Sequence, residues 1–321
     1  MKLGLFTVLF PELDLEALLT VAGQLGIEAI ELSSKVGRGL RHFDPEEIVN
    51  SSLARSRFQD ALKRHNMEIS QLNCSSNPVS PIPEEAQKGK EDFEMAFRLA
   101  EKLHVHTVGC FSGCPGGGPQ DRTPNWITCS WPPQYLQMLR WQWEEKLIPF
   151  WTWASQEGAK HGVNQLAIEM HPGFCVYNPE TLLKLRTAVG PSIGANLDPS
   201  HLLWQGIHIP DAIRELKGAI WHVHAKDVFL DHRNIRMNGI LDTKHYAEIE
   251  HRAWTFRTVG YGMPQETWKE IVSALRMAGY DGVLSIEHED MLLSKMEGLS
   301  RASRFLKEIV PKEMPEKMWW S

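Results

Sequence analysis

Short apolar runs alternate along this chain with longer stretches in which apolar residues recur at helical spacing. The apolar runs have the length of buried strands, and the stretches between them carry helix start and stop signals. Asp44-Pro45 is typical of a helix start, and Gly26 follows the apolar repeat of residues 14–25 as a helix-ending glycine does. The pattern therefore predicts a regular alternation of strands and helices.

The predicted strands cover residues 3–7, 29–32, 67–73, 105–111, 166–170, 193–197, 219–225 and 283–286. Successive parallel strands need right-handed helical crossovers, and eight such units close into a barrel. We predict an α/β fold, a (β/α)8 TIM barrel, formed as a single domain by residues 1–321. Residues 310–321 form a C-terminal tail whose Trp319-Trp320 pair is expected to pack, for example at a subunit contact.

Two connections are longer than a compact barrel needs. Residues 112–134 follow the fourth strand and are rich in Gly and Pro, and residues 228–263 follow the seventh strand. Both leave the C-terminal ends of strands, where barrels carry their functional loops, so we expect the first to act as a lid. Its GCPGGGP run lacks the Gly-Lys-Ser/Thr ending of a phosphate-binding loop.

Composition excludes several classes of protein. Hydrophobic residues make up 42% and charged residues 23% of the 321, which is typical of a globular enzyme and not of a disordered chain. A net charge of -6 provides no basic surface for nucleic acid. No apolar run is long enough for a membrane helix, and the five scattered cysteines do not form a disulfide framework, so a cytoplasmic location is expected.

Four successive strands of the second half end on metal-ligand side chains. Glu169 ends the strand at 166–170, Asp198 follows the strand at 193–197, His224 lies in the strand at 219–225, and Glu287 follows the strand at 283–286. Because the carboxyl ends of barrel strands meet at one mouth, these side chains are expected to converge. A lone carboxylate at a strand end is usually a helix cap or an ion-pair partner, and the set of four is what predicts a metal site.

Three carboxylates and one imidazole suit Mn²⁺ best, with Co²⁺ or Mg²⁺ as alternatives, whereas a structural zinc site would favour thiolates. Four protein ligands leave positions for two substrate oxygens, such as a neighbouring hydroxyl and carbonyl of a sugar. Glu169 and Glu287 come from different sides of the barrel ring, so they are also candidates for the acid and the base that move a proton.

Five further residues near the strand ends are candidates for substrate contacts: His171, His201, Lys226, Arg257 and Trp204. Trp126 and Trp131 are further candidates for stacking on sugar C–H groups, whereas the tryptophans between 141 and 153 are expected in the core or an interface.

Other polar residues near the strand ends have structural interpretations. His222 faces inward one layer below His224, so a hydrogen-bonded core histidine is at least as good an interpretation as a ligand. Lys226 and Asp227 are candidates for a mutual ion pair. Of residues 288–290, one is expected to orient a ligand and the others to cap the last helix.

The motifs IEMHP, NLDPSH, HVHAKD and GYDGVLSIEHED, in this order at the predicted strand ends, resemble the sugar phosphate isomerase/epimerase superfamily of xylose isomerase-like TIM barrels. By its pattern of alternating strands and helices, the resemblance covers nearly the whole chain. It implies that the positions of Glu169, Asp198, His224 and Glu287 hold a divalent metal, as in ketohexose 3-epimerases and inosose dehydratase. It also implies that the two glutamates act as acid and base and that His201 binds substrate.

The resemblance implies a metal-dependent sugar isomerase or epimerase that removes a proton next to a keto-sugar carbonyl through a metal-stabilised enediolate. The long segment containing RTVGYG is reminiscent of C-glycoside deglycosidase catalytic subunits, lyases that eliminate the aglycone from a 3-keto-glycoside and work with a small β-sandwich partner. An endonuclease IV-like nuclease and a noncatalytic sugar-binding barrel are alternatives of other classes. A small sugar or keto-glycoside is the expected ligand and a homo-oligomer the expected assembly, without nucleic acid or membrane.

Overall fold

The computed structural model describes residues 1–313 together with Glu316, Met318 and Trp320. Trp320 is exposed, and Trp319, the other member of the predicted packing pair, lies outside the described residues. No helix in the described part of the chain combines the length and the apolar character that crossing a bilayer requires.

Ten strands form a barrel and a hairpin. The strands are β1 (Lys2–Phe6), β2 (Ala29–Ser33), β3 (Glu68–Cys74), β4 (Thr107–Phe111), β5 (Gln165–Glu169), β6 (Ile193–Leu197), β7 (Ile220–Ala225), β8 (Asp227–Leu230), β9 (Trp254–Arg257) and β10 (Val283–Ile286). All but β8 and β9 close into a barrel in the order β1-β10-β7-β6-β5-β4-β3-β2, with every neighbouring pair parallel. This confirms the predicted (β/α)8 barrel.

The helices are α1 (Leu15–Gln24), α2 (Pro45–Asn50), α3 (Ser52–Arg64), α4 (Pro83–Leu103), α5 (Gln134–Trp141), α6 (Ile148–Lys160), α7 (Pro179–Val189), α8 (Pro199–Leu203), α9 (Ile209–Glu215), α10 (His232–Asn238), α11 (Gln265–Met277) and α12 (Lys295–Ile309). Asp44 caps α2 as predicted, and Gly26, with a φ of +66°, follows the end of α1. The second helical segment is split because the Ser51 side chain caps a new helix, α3.

The helix layer packs on the barrel through large buried side chains. Trp151, Trp268, Phe93 and Phe97 are fully buried. Trp143 and Trp151 therefore lie in the core, as the sequence predicted for this tryptophan-rich stretch. Between α5 and α6 the chain makes one π-helical segment, residues 142–147, from which the Gln142 side chain donates to three carbonyl oxygens of the loop after β4.

The insertion after β7 folds as a hairpin with its own small core. Strands β8 and β9 pair antiparallel, and Val228, Ala253 and Phe256 are buried between the hairpin and the barrel. Trp204, at the end of α8, stacks on Trp254 with ring centroids 4.6 Å apart. The hairpin is therefore fixed to the rim of the barrel by apolar packing.

Asp227 anchors the end of this insertion. Its buried carboxylate accepts hydrogen bonds from the backbone N–H groups of Val228, Gly260, Gly262 and Met263, at 2.8 to 3.2 Å, and from the Trp268 indole. A Cβ on Gly262 would lie 2.4 Å from the Val228 carbonyl oxygen, so this position requires glycine. The predicted Lys226–Asp227 ion pair is wrong, because these N–H donors occupy both oxygens of Asp227.

We expect Asp227→Ala to destabilise the protein by at least about 3 kcal/mol, because several buried N–H groups would lose their acceptor. Urea unfolding followed by circular dichroism measures this change. The matched control is Asp14→Ala, which removes an aspartate that caps α1 through one bond to Ala17 and should cost only about 1 kcal/mol. Equal losses in the two variants would contradict the anchoring role of Asp227.

Candidate metal centre

The four predicted ligands converge at the carboxyl ends of the strands. Glu169 is the last residue of β5, Asp198 follows β6, His224 is the penultimate residue of β7, and Glu287 follows β10. One ligand atom from each of these residues lies within 4.8 Å of the others. The parallel register produces this convergence, since it brings the ends of β5, β6, β7 and β10 to one face of the barrel.

The two oxygens of Asp198 have different surroundings. Its Oδ1 accepts from the backbone N–H and the hydroxyl of Ser200, at 2.8 and 2.7 Å, and so caps the short helix α8. Its Oδ2 is buried, makes no well-angled hydrogen bond among the described residues, and has the Lys226 ammonium 3.1 Å away. Asp198 Oδ2 therefore faces the cluster of predicted ligands in a place that a cation stabilises, which fits a metal ligand.

His224 lies between carboxylates on both sides of its ring. Nδ1 is 3.0 Å from Glu287 Oε2 and 3.4 Å from Glu169 Oε2, and Nε2 is 3.0 Å from an oxygen of Glu31. Burial opposes the charged form, but the surrounding carboxylates outweigh it and raise the pKa of His224 well above its usual range. The ring therefore presents Nδ1 to Glu169 and Glu287 and presents Nε2 to Glu31.

Lys226 supplies the second positive charge of the site. Its buried ammonium lies 3.1 Å from Asp198 Oδ2, 3.0 Å from Glu287 Oε2 and 3.2 Å from Glu289 Oε2. Burial would lower its pKa, but these carboxylates hold the pKa well above the usual value. The ammonium also lies 4.7 Å from the centre of the Phe256 ring. Lys226 is therefore a fixed cation in contact with two predicted ligands.

The pKa values of the three predicted carboxylate ligands shift in different directions. Burial raises the pKa of Asp198 to about 7, since the nearby Lys226 compensates only in part. Burial also acts on Glu287, but Lys226 and His224 overcome it and bring the pKa of Glu287 to about 2. The pKa of Glu169 is likewise held well below its usual value, against burial, by His201 and His224. Two of the three carboxylates are thus firmly ionised at neutral pH.

Two histidines form the adjoining wall. His201 Nε2 is 3.1 Å from Glu169 Oε1, and burial together with the neighbouring His171 keeps the pKa of His201 well below its usual range. The rings of His171 and His201 lie 4.0 Å apart. His201 is therefore a neutral side chain in contact with a predicted base, and His171 extends this wall toward solvent.

A cavity of about 470 Å³ opens from this wall. His171, Phe256 and Glu289 line its deep end, next to His201 and Lys226. Apolar side chains make up much of the remaining lining: Leu9, Tyr246, Ile249, Met291, Leu292 and Leu293. The cavity lies beside the ligand cluster, since three of its lining residues contact His201 or Lys226, and it has the size of a small-molecule site.

The other residues predicted to contact substrate, Arg257 and three tryptophans, lie away from the ligand cluster. Arg257 lines the cavity, but its Nε is 3.2 Å from Asp290 Oδ2. Trp204 is packed against Trp254 in the small core of the hairpin. Trp131 is 73% exposed, and Trp126 packs edge-on against Tyr177. The structure thus brings His171, His201 and Lys226 to the ligand cluster and leaves the tryptophans in packing or exposed positions.

Residues 288–290 do not cap the last helix, which corrects that prediction. The Ser294 side chain accepts from Glu297 N and caps α12, because the helix begins at Lys295. Glu289 binds Lys226, and Asp290 accepts from the backbone of Thr258 as well as from Arg257. These residues join the end of β10 to the insertion and to the cation of the site.

His222 is a hydrogen-bonded histidine of the barrel interior. Its Nδ1 is 3.0 Å from Asn196 Oδ1 and its Nε2 is 3.2 Å from Ser70 Oγ. Burial lowers the pKa of His222 to about 4. The hydrogen-bonded core interpretation is therefore the one that the contacts of His222 favour.

The sequence reasoning missed Glu31. This glutamate lies within β2, is completely buried, and contacts His224 directly. A signal was present, because a charged residue inside an apolar strand needs a buried partner. The strand at 29–32 had been treated only as a structural element of the barrel.

We expect the purified protein to bind about one divalent ion per chain, and Asp198→Asn to lose most of it, because the substitution removes the negative charge of one predicted ligand. Elemental analysis after incubation with Mn²⁺ and gel filtration measures the content. The matched control is Asp211→Asn, at an exposed aspartate that pairs with His208 and Arg214. Retention of the ion by Asp198→Asn, or absence of any ion from the wild type, would contradict the site.

Comparison with known proteins gives the family of this fold. The model of the family described as xylose isomerase-like TIM barrel matches residues 19–309. The chain is also 40% identical over 312 residues to the uncharacterized protein YfiH of Bacillus subtilis (strain 168), an alignment that covers 97% of this chain and 99% of that protein.

Solved structures with the same fold are more distant in sequence. The probable 3-DHS dehydratase AsbF of Bacillus anthracis is 18% identical with a TM-score of 0.68, covering 96% of this chain and 99% of that one. The IolI protein with a binding zinc atom is 17% identical with a TM-score of 0.64, at 97% and 98% coverage. D-psicose 3-epimerase with D-tagatose, from Clostridium cellulolyticum H10, is 15% identical with a TM-score of 0.62, at 96% and 98% coverage. The closed barrel, the long match to the family model and the similarity to YfiH agree, and the chain belongs to the xylose isomerase-like TIM barrel family.

Proposed function

We propose that this protein is a divalent-metal-dependent sugar isomerase or epimerase that moves a proton at the carbon next to a keto-sugar carbonyl. The observation that carries the proposal is the convergence of Glu169, Asp198, His224 and Glu287, whose ligand atoms lie within 4.8 Å of one another. A divalent ion held by these residues would polarise the substrate carbonyl and make the neighbouring C–H group more acidic. Mn²⁺ is the proposed ion, with Co²⁺ and Mg²⁺ as alternatives.

The two glutamates are the proposed acid and base. Glu169 ends β5 and Glu287 follows β10, so they approach the centre of the barrel from different sides. Both are ionised at neutral pH because Lys226, His201 and His224 stabilise their charge, so either one can accept a proton from substrate. After one glutamate has taken the proton from one face of the carbon, the opposite glutamate would have to take up a proton from water before it could protonate the other face. The first glutamate would then return its proton to water, so epimerisation leaves the proton count unchanged.

Lys226 and His201 have supporting roles in this proposal. The buried ammonium of Lys226 can donate to a substrate oxygen next to Asp198 and Glu287. His201 is neutral and contacts Glu169, so it can hold a substrate hydroxyl beside the proposed base without adding charge. Phe256 covers both side chains and limits access of water to them.

The solved relatives support an enzyme, since their names include a 3-DHS dehydratase and a D-psicose 3-epimerase. The name of the IolI structure includes a bound zinc atom, which supports a metal site in this fold. A nuclease and a noncatalytic sugar-binding barrel stay as alternatives. The acidic net charge of -6 counts against the nuclease, and the presence of all four predicted ligand side chains in one cluster counts against the noncatalytic barrel.

A second candidate is elimination of the aglycone from a 3-keto-glycoside, which begins with the same proton removal. The cavity favours it, because about 470 Å³ is more space than a single sugar ring fills and much of the lining beyond Phe256 is apolar. Tyr246, Met291 and Leu292 each expose 49 to 58% of their surface there, so an apolar group of a substrate would cover them.

The assembly and the location of the protein stay predictions: a homo-oligomer, a small β-sandwich partner and a cytoplasmic location.

We expect the protein loaded with Mn²⁺ to incorporate deuterium from D₂O at the carbon next to the ketone of its substrate. Glu287→Gln should slow this exchange by about 10² to 10⁴, because it removes a general base. Mass spectrometry over a panel of ketohexoses and 3-keto-glucosides measures the exchange. The control is Glu215→Gln, an exposed residue of α9. Wild-type rates in Glu287→Gln would reject this residue as acid or base.

The apolar cavity predicts a preference that separates the two candidates. If elimination is the reaction, phenyl 3-keto-glucoside should react with a higher kcat/KM than a free ketohexose and release phenol; if the proposed isomerase or epimerase reaction is correct, no phenol is released. Leu292→Ser should lower kcat/KM for the glycoside by about tenfold, since it removes apolar contact area, and leave the ketohexose unchanged. Equal effects on both substrates, or no release of phenol, would favour the isomerase over the elimination.

A further inference from the structure

Glu31 forms the floor of the barrel interior beneath His224. It lies on β2, across the barrel from the strands that carry the predicted ligands, and neither carboxylate oxygen reaches solvent. The adjacent residues of β2, Ile30 and Leu32, are fully buried apolar side chains, so the placement of a carboxylate between them is costly. The contacts of Glu31 show what offsets this cost.

Four side chains from three other strands surround the carboxylate of Glu31. Oε1 accepts hydrogen bonds from Gln71 and Asn73 of β3, each at 3.0 Å. Oε2 accepts from Ser285 of β10 at 2.9 Å and lies 3.0 Å from His224 Nε2. These contacts offset the cost of burying the carboxylate. Both oxygens of Glu31 are therefore held as hydrogen-bond acceptors.

The neighbouring strands leave room for this arrangement. Gln71 pairs with Glu31 in the register of β2 and β3 and points its amide into the barrel. A Cβ on Gly109 of β4 would lie 2.5 Å from Gln71 Nε2, so glycine at that position makes space for the amide. The polar layer beneath the site thus depends on residues of β2, β3, β4 and β10.

We propose that Glu31 is a positioning residue that fixes the ring of His224 for metal binding. A carboxylate beside Nε2 keeps a proton on Nε2, so the proton that a metal ion would displace from the cationic ring is the one on Nδ1, which faces Glu169 and Glu287. Glu31 also prevents the ring from turning over, because a flipped ring would place the carbon Cε1 where Nε2 now contacts Glu31 and would lose that contact. This inference rests on the proposed metal-dependent function and concerns a residue outside the ligand set.

An alternative role for Glu31 is as a ligand of a second metal ion. Ligand atoms of Glu31, His222 and His224 also lie within 4.8 Å of one another. The surroundings argue against it, because both oxygens of Glu31 accept hydrogen bonds and both ring nitrogens of His222 have partners, Asn196 and Ser70. A metal ion there would have to displace these partners, so the group is a hydrogen-bonded floor.

The test compares wild type, Glu31→Gln and Glu31→Asp in full-length protein. Glutamine has nearly the size of glutamate, but its amide would face donors from Gln71, Asn73, Ser285 or His224. Zn²⁺ is the probe, because it is diamagnetic and allows long-range ¹H–¹⁵N correlation of the histidine rings. Calorimetric titration with Zn²⁺ and Mn²⁺ gives affinity and stoichiometry.

In the wild type we expect a His224 ring protonated at Nε2 and shifted at Nδ1 by Zn²⁺, with about one ion per chain. Glu31→Gln should weaken binding of both ions by 10- to 100-fold and broaden or shift the His224 signals. Glu31→Asp, which keeps the charge at a shorter reach, should fall between the two and remains informative if Glu31→Gln fails to fold. Asp92→Asn is the matched control, since Asp92 is also a buried carboxylate bound to a serine, Ser76, and should change stability without changing metal affinity.

Three results would overturn the inference: coordination of Zn²⁺ by His224 Nε2, unchanged affinity in the folded Glu31 variants, or two ions per chain of which Glu31→Gln loses one. The last result would make Glu31 a ligand. Absence of metal from the wild type would instead reject the proposed function. In that case a ring Nε2 proton of His224 that does not respond to Glu31→Gln would reject the contact with Glu31 as well.

Discussion

The constraint on which the site depends is the burial of several carboxylates close to one another. Glu31, Glu169 and Asp198 are almost completely buried, and Glu287 adds a fourth negative charge nearby. Transfer of such ions from water costs several kcal/mol each unless opposite charge and hydrogen bonds compensate. Two cations, His224 and Lys226, are shared among the carboxylates, so negative charge remains in excess. A centre of this kind attracts a further cation, which is the physical reason for the proposed metal.

The barrel can bear this cost because its strands are held by their own pairing. Each predicted ligand lies in or next to a strand of the closed sheet, and its backbone position is set by hydrogen bonds to two neighbouring strands. The side chains are then fixed by a few local bonds. Ser200 holds one oxygen of Asp198, and Glu31 holds one nitrogen of His224. The second oxygen of Asp198 and the second ring nitrogen of His224 are then directed into the site.

The strand-helix alternation and the convergence of the four candidate side chains could be predicted because both depend on local sequence: apolar runs set the strands, and their last residues face the barrel mouth. Glu31 could not be assigned a role, since its partners Gln71, Asn73, Ser285 and His224 come from strands far apart in the chain. Lys226 was paired with the adjacent Asp227 on sequence proximity, but β8 starts at Asp227 and turns its carboxylate toward the loop at Gly260. Contacts that depend on long-range closure are therefore the part that local patterns do not specify.

In the proposed function, the hairpin would contribute to substrate recognition and the barrel strands to proton transfer. The predicted ligands lie in or next to strands of the barrel, whereas Phe256 and Tyr246, which line the cavity, belong to the insertion that Asp227 anchors. The two parts meet at Lys226 and His201, which Phe256 covers. A change in the insertion can therefore alter the shape and polarity of the cavity while the strand pairing that positions Glu169 and Glu287 stays the same. Because Lys226 contacts Phe256 as well as Asp198 and Glu287, it is the side chain through which a change in the hairpin would reach the charge balance of the site.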